Sequence, residues 1–354
     1  HYFLKNLPVG SYTIRVNGVG YRSAEKQIVL RQGETRELNF EVEEDIIQLE
    51  TVVISANKNE TNRMEAPVVV HVMTPKLFEN TNSVCLAQGL SFQPGLRVET
   101  NCQNCGFQQV RINGLDGPYT QLLLDGKALF SSLNGVYGIE QIPAGMIERV
   151  EVMRGGGSAL YGANAIGGTV NIITKEPLNN LFMISHNLIA IGNSAYDNTT
   201  SLNASLINGQ RNAGLYIFGT SRHRQHYDHD GDHFSEIGEL KLTTLGFRSY
   251  YKPSSQTKLT LEYHNIQEFR RGGNLFSLPP HETDITEQAD HDINGGGVDF
   301  SFFSKDYTHK FSLYSSVQHT DRQSYYGAGK DPNAYGKTKD LTAIAGIQYS
   351  YNFN

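Results

Sequence analysis

The stretch that most constrains this chain runs from Gln108 to Lys175. It holds three short apolar or β-branched runs, Gln121–Asp125, Ile147–Met153 and Thr169–Thr174. Turn residues at Asn113–Gly117, Asp125–Gly126, Gly155–Gly157 and Gly167–Gly168 punctuate them. Runs of this length bounded by Gly, Asn and Asp predict strands of a small mixed sheet. Ser158–Tyr161, between two glycines, predicts a helical turn. Nucleotide-binding readings fit poorly. Gly155-Gly156-Gly157 lacks a downstream Gly-Lys-Ser/Thr, and Gly162 to Gly168 lacks Gly-x-Gly-x-x-Gly spacing after a strand. The glycines instead suit tight turns and close backbone approach.

Six blocks then stand in unbroken order: Arg111-Ile112-Asn113-Gly114; Leu123-Leu124-Asp125-Gly126; Ile142-Pro143; Ile147 to Val152; Arg154-Gly155 with Ser158 to Gly162; and Ala165 to Thr174. Together they resemble the plug domain of TonB-dependent outer-membrane receptors. One departure is Asn113, where an Arg-Gly pair is more usual. Asn tolerates such turn positions. The resemblance implies that Arg111 and Arg154, beside glycine turns, pair with acidic residues of the surrounding barrel wall.

Composition narrows the class. The chain has 354 residues, room for two or three domains, with Gly 35, Tyr 19, Phe 17 and a mean hydropathy of -0.40. This suits a glycine- and aromatic-rich β protein. A net charge of -6 without basic blocks argues against a nucleic-acid partner. No leader is visible at His1-Tyr2-Phe3, which reads as the inside of a strand, so a fragment with its front missing is expected. No apolar run is long enough for a transmembrane helix.

Residues 1–43 read as part of a β-sandwich. Tyr12, Ile14 and Val16 alternate with polar residues, and Ile28–Leu30 and the set Leu38, Phe40, Val42 predict two more strands. The run from Leu7 to Tyr21 resembles a carboxypeptidase-regulatory-like domain, which often precedes the plug in receptors of the Bacteroidetes type. Residues 44–62 form a polar linker. Inside it, Glu50, Thr51, Val52, Val53, Ile54, Ser55 and Ala56 resemble a TonB box. An extended β-branched segment of this kind can add to the sheet edge of a partner. The plug is expected over 63–177. It opens with a strand Pro67–Met73, a helix capped by Thr74-Pro75, a helix Ser83–Leu90 and a strand Leu96–Val98. By resemblance to the cobalamin receptor of the family, loops at Asn101–Phe107 and Phe130–Tyr137 face an extracellular ligand. Cys102, Gln103, Asn104, Cys105, Phe130, Ser131, Asn134 and Tyr137 are therefore the expected ligand-binding residues.

From Leu178 the period changes. Segments of about 9–11 residues alternate apolar and polar, as tilted membrane strands do. Eight strands are expected over 178–354. Connections Asn208–Asn212, Pro253–Gln256 and Lys305–His309 are short, and His223–Ser235, Arg270–His291 and Tyr325–Asp340 are long. The predicted architecture is mainly β: an α+β plug inside the first part of an antiparallel outer-membrane barrel, preceded by part of a sandwich. Eight strands cannot enclose such a plug, and barrels with a plugged lumen have about 22. The barrel is expected to continue beyond residue 354.

Two features offer ligand chemistry. Cys102-Gln103-Asn104-Cys105 could be a loop-stapling disulfide, a redox motif or half a metal site. The disulfide is the default, with soft-metal binding next. Cys85 reads as a buried, inert thiol. The run Arg222 to His233 packs four His and three Asp into twelve residues. His223, His226, His229 and His233 are the candidate metal ligands, since imidazole and carboxylate suit transition metals or a haem iron. A solvated external loop is the competing reading.

The resemblance implies an energised importer, not an enzyme, and no intrinsic cofactor. Its expected partners are TonB with the inner-membrane energising complex, outer-membrane lipid, a small metal-containing ligand and a surface lipoprotein. The expected cargo is haem or another ferric complex, with cobalamin and copper as alternatives. The rival class is a sensor or adhesin that binds without importing. Outside the histidine-rich loop no catalytic set can be assembled from short-range spacing.

Overall fold

The computed structural model describes residues 4, 7–18, 21–42, 52–55, 61–63, 66–102, 106–128, 138–192, 194–306 and 308–351. Strands β1 (Gly10–Gly18) and β2 (Tyr21–Leu30) form an antiparallel hairpin in which Tyr12 faces Ile28. The third strand expected from Leu38, Phe40 and Val42 does not form. That segment is held by side chains instead. Lys26 Nζ donates to the Asn39 carbonyl at 2.6 Å and lies 5.3 Å from the Phe40 ring centre.

In the connector, β3 (Val52–Val53) pairs with β4 (Thr61–Asn62). The plug follows with β5 (Val70–Met73), α1 (Pro75–Asn80), α2 (Leu86–Leu90), β6 (Leu96–Cys102), β7 (Phe107–Ile112), β8 (Thr120–Leu124), β9 (Lys127–Ala128), α3 (Gly138–Gln141), β10 (Ile147–Arg154), α4 (Ser158–Tyr161) and β11 (Gly168–Thr174). Its mixed five-stranded sheet has the order β5-β10-β11-β8-β9, with β11 parallel to β8. Every residue of β11 is buried, as its continuous apolar and β-branched run requires of a strand covered on both faces. Gly168 shows why a glycine opens this strand. Its φ is +143°, and a Cβ there would lie 2.2 Å from the Met153 carbonyl oxygen. The helix expected from Ser83 begins only at Leu86. Cys85 before it is extended and bridges to Pro143, since Leu86 N–H donates to the Ile142 carbonyl at 2.9 Å and Ala144 N–H to that of Val84 at 3.0 Å.

The barrel wall is an eight-stranded antiparallel sheet in sequence order, as expected. Its strands are β12 (Leu181–Ile191), β13 (Ala195–Ile207), β14 (Ala213–Arg224), β15 (Glu239–Ser254), β16 (Thr257–Gly273), β17 (Ile285–Phe303), β18 (His309–Ala328) and β19 (Tyr335–Tyr351). The register lines up apolar rows on the outer face. Tyr251 faces Leu259, then Phe300, Leu313 and Ile347. Further along the strands the row becomes Thr243, Gln267, Asp292, Asp321 and Lys339. Two of the loops expected to be long are shorter than their spacing suggested. The ladder continues to Gly273 and resumes at Ile285, and the last hairpin turns over residues 329–334. Backbone pairing and the edge contact of Tyr325 with Tyr335, ring centres 4.9 Å apart, extend these hairpins past the apolar belt.

The plug core and the inner wall meet directly. Leu86, Leu90, Ile112, Ile139, Ile147, Val150 and Ile172 form one buried cluster with Tyr216 and Phe218 of β14. Burying an aliphatic side chain of this size is favourable by about 1.5–3 kcal/mol. Apolar packing thus seats the plug, and the polar contacts below fix its register.

Candidate functional site: the plug, its clasp and its barrel anchors

Glu140, in the short helix α3, is the centre of one anchor. Its Oε1 accepts from Arg224 Nη1 at 2.8 Å and from Arg222 Nη1 at 3.1 Å, and its Oε2 lies 3.4 Å from Arg270 Nη2. Arg222 is also held by Asp197, with Nη2 to Oδ2 at 2.6 Å. Arg270 reaches Glu268 through Nε at 2.8 Å. These charges lie in the interior, where an unmatched one would be costly, and each carries an opposite partner. Burial alone would raise the Glu140 carboxyl. Arg224, Arg222 and Arg270 outweigh it and hold the group down at about 2.

A second anchor lies at the hairpin between β8 and β9. Asp125 accepts from Arg248, from the Thr174 backbone N–H at 3.0 Å and from the Thr174 hydroxyl at 2.7 Å. Burial opposes the charge, but Arg248 and these hydrogen bonds keep the Asp125 carboxyl below its ordinary range. Lys127 Nζ meets Asp299 at 2.7 Å and Glu262 at 3.7 Å. In both anchors the barrel supplies the arginines and the plug supplies a carboxylate.

The connector is clasped by the plug. Val53 and Ser55 are fully buried. Glu151 Oε2 accepts from Ile54 N–H and Ser55 N–H, each at 2.8 Å, and from the Ser55 hydroxyl at 2.7 Å. Arg149 Nε supports the other oxygen at 2.8 Å. Asn171 Nδ2 donates to Ser55 Oγ at 3.0 Å, and Tyr161 donates its hydroxyl to the Ser55 carbonyl at 3.1 Å. Asn171 Oδ1 in turn accepts the Gly126 N–H at 2.9 Å. Hydrogen bonds therefore run from the connector through Asn171 to the Asp125–Gly126 turn and so to Arg248 in the barrel.

The residues singled out in the sequence fall as follows. Of the box-like segment, Val52, Val53, Ile54 and Ser55 are described, and Glu50, Thr51 and Ala56 lie outside the described residues. Gln103, Asn104, Cys105, Phe130, Ser131, Asn134 and Tyr137 also lie outside them, and Cys102 is described only as the last residue of β6. Arg111 does find carboxylates, but of the plug itself: Glu99, and Asp116 at 3.0 Å. Arg154 donates to the Pro94 carbonyl. Among the described residues neither meets a barrel carboxylate; the plug-to-barrel ion pairs described are those of Glu140, Asp125 and Lys127. Cys85 is buried and free, and burial pushes its thiol up.

The four histidines do not converge. His223 lies on β14, its Nε2 3.7 Å from Glu239. The His226 ring stacks on Phe276 with centres 3.7 Å apart. His229 Nδ1 is 3.3 Å from the Tyr227 hydroxyl, and the His233 N–H donates to Asp228 at 2.9 Å. What the turn gathers is carboxylate. One oxygen each of Asp228, Asp230, Asp232 and Glu236 lie within 4.8 Å of one another. An all-oxygen set suits a hard cation rather than haem iron or copper. The backbone explains the difference: the N–H groups of His229, Gly231 and His233 bond to these carboxylates and turn them inward.

Sequence reading missed Glu140, Asp125, Lys127 and Glu151. The signal available was charge on inward positions of alternating strands, as at Arg248 and Arg270. Arg222 and Arg224 were read as loop residues and are strand residues of the inner wall.

Residues 62–169 match the family model of the TonB-dependent receptor plug domain, and residues 1–54 match that of a carboxypeptidase-regulatory-like domain. With this plug seated on an antiparallel wall that carries an outer apolar belt, the chain has the plug domain and the barrel-type fold of the TonB-dependent receptors, β-barrel proteins of the outer membrane. Among curated proteins it is 35% identical over 127 residues to the vitamin B12 transporter BtuB of Vibrio vulnificus, covering 36% of this chain and 21% of that one. The BtuB of Vibrio cholerae is 31% identical over 126 residues, with the same coverage. Among solved structures it resembles the ferric enterobactin receptor PfeA of Pseudomonas aeruginosa, with TM-score 0.62 and 19% identity over 80% of this chain and 46% of that one. The siderophore receptor PirA of Acinetobacter baumannii gives TM-score 0.62 and 19% identity over 78% and 44%. The chain thus spans about half the length of these solved receptors, and its matched stretch about a fifth of the curated relatives. These relatives are named as transporters and receptors, not enzymes.

Proposed function

We propose that this chain is the plug-bearing portion of an importer for a metal-containing organic nutrient, and that the nutrient is a corrinoid. Cargo binds on the outward loops 101–107 and 130–137. TonB then engages the segment around Val53 from the periplasmic side, and force on that segment opens the plug. The observation that carries the import reading is the Glu151 clasp. A β-branched segment suited to strand addition is held with its backbone donors occupied, so a partner can use them only after release. The corrinoid assignment is supported by the match of the plug sequence to two vitamin B12 transporters. Haem, for which one axial His with Phe130 and Tyr137 against the ring was expected, stays as an outcome of the test below; the four histidines stand on separate partners.

The test uses the full-length receptor in its native outer membrane, with labelled cyanocobalamin, haem and a ferric catecholate offered separately. Wild-type cells should accumulate cyanocobalamin. Val53→Pro removes a backbone donor and should abolish accumulation while surface binding persists. Accumulation of haem or the ferric catecholate alone would overturn the corrinoid assignment. Undiminished uptake by Val53→Pro would overturn the import mechanism.

A further inference from the structure

Asn171 sits in the middle of β11 and is fully buried. It pairs with Glu151 across the sheet, so both side chains lie on the side of β10 and β11 that the connector covers. A buried amide is costly unless it is hydrogen-bonded, and here each end serves a different segment. Nδ2 donates to Ser55 Oγ at 3.0 Å, and Oδ1 accepts the Gly126 N–H at 2.9 Å. The direction is fixed from both sides. The Gly126 N–H can only donate. The Ser55 hydroxyl gives its hydrogen to Glu151 Oε2 at 2.7 Å, so its oxygen accepts from Asn171. Gly126 closes a two-residue turn, with Asp125 at φ +49° and Gly126 at φ +79°, between the paired residues Leu124 and Lys127. The residues on either side of Gly126 reach the barrel. Asp125 meets Arg248 of β15, and Lys127 meets Asp299 of β17 and Glu262 of β16. The other anchor is held from elsewhere: Glu140 and Gln141 bond to Arg222, Arg224, Arg270 and Glu268 of the wall.

We infer that Asn171 couples the connector to the β8–β9 hairpin, so that withdrawal of Ser55 loosens the anchor at Asp125 and Lys127 first and leaves the Glu140 anchor in place. This is a positioning role, and its use in transport rests on the import reading of the connector. When Ser55 leaves, Asn171 Nδ2 becomes a buried donor without its acceptor. That penalty favours turning of the amide or entry of water. Either response weakens the hold of Oδ1 on the Gly126 N–H. The bonds of Asp125 to Ile172 and Thr174 keep the hairpin attached to β11, so it is loosened and not detached. Gly126 stands between the two residues that carry the barrel contacts, so freedom gained by its backbone passes to both.

The deciding experiment is amide hydrogen exchange on the purified full-length receptor, without cargo or TonB, comparing wild type with Ser55→Ala, Asn171→Ala and the double variant. Ser55→Ala removes only a hydroxyl. Peptides covering 122–128 should then exchange about two- to fivefold faster, and those covering 138–141 should be unchanged. Asn171→Ala should quicken 122–128 by about fivefold, as for the loss of one neutral hydrogen bond. In the Asn171→Ala background, adding Ser55→Ala should change 122–128 no further, while exchange at 52–55 still rises. If the two residues were merely structural, their effects on 122–128 would be independent and would add. Wild-type exchange at 122–128 in Ser55→Ala, additive effects in the double variant, or equal quickening of 122–128 and 138–141 would overturn the coupling. Should Asn171→Ala not assemble, the comparison of 122–128 with 138–141 in Ser55→Ala decides alone. No partner is present in this measurement, so it stands apart from uptake. Undiminished uptake by Val53→Pro would remove the import reading and leave the coupling to be decided by exchange.

Discussion

Ser55 gives both its backbone N–H, at 2.8 Å, and its hydroxyl, at 2.7 Å, to a single oxygen of Glu151. The two residues are 96 positions apart, and both are fully buried. The connector is therefore part of the plug in this state and not a free tail.

Glu151→Gln should loosen that clasp without changing side-chain size. Hydrogen bonds to a charged group contribute about 1.5–3 kcal/mol each. An opening that breaks even one should become about tenfold or more frequent. Limited proteolysis or hydrogen exchange over residues 52–55 would register it, with exchange in β12–β19 unaffected. Protection of 52–55 equal to wild type would mean that burial of Val53, the Asn171 and Tyr161 bonds to Ser55 and the pairing of β3 with β4 hold the segment without the Glu151 charge.

Removing the Glu140 carboxylate should be among the most damaging single changes in the plug. Glu140→Ala leaves Arg222, Arg224 and Arg270 without a shared counter-charge. Breaking a buried ion pair from one side costs roughly 3–5 kcal/mol. The expected outcome is a plug that exchanges or is cleaved readily within a barrel that still resists heat in detergent. Melting followed separately on plug and barrel peptides checks it.

The same carboxyl predicts a pH window. Its ordinary value is 4.5 and it is held at about 2. A depressed value means that its contribution is fully present above pH 4.5, declines as pH falls below that, and is lost through about 2. Plug protection should therefore be flat with respect to this group above pH 5 and weaken toward pH 2. In Glu140→Gln that part of the acid dependence should disappear, which paired exchange measurements at pH 5 and pH 3 can follow.

Gly168→Ala should destabilise the centre of the plug sheet. The position has φ +143°, and the added methyl would meet the Met153 carbonyl. Backbone strain of this kind costs on the order of 1–3 kcal/mol, and the clash adds to it. Lower thermal stability of the plug is expected, whereas Gly209→Ala, in an open turn with nothing near its Cβ position, should change it little.

The local elements were legible from the order of residues along the chain. The runs around Leu122, Val150 and Val170 became β8, β10 and β11, and the eight alternating segments became β12–β19. Periodicity and turn residues are properties of neighbours in the chain, so they are legible without a fold. The tertiary structure decided which charges meet. Glu140 reaches Arg222 across 82 positions and Arg270 across 130, because the seating of the plug on the wall brings α3 level with the inner faces of β14 and β16. No spacing rule encodes such a pairing; it depends on strand register and on how apolar burial seats the plug. The same holds for the histidine-rich turn. Composition drew attention to His223, His226, His229 and His233, but backbone N–H groups turned Asp228, Asp230, Asp232 and Glu236 toward one another and left the imidazoles on separate partners. Burial of Val53 and Ser55 was likewise beyond the sequence, since their partner Glu151 is fixed only when β10 takes its place in the sheet.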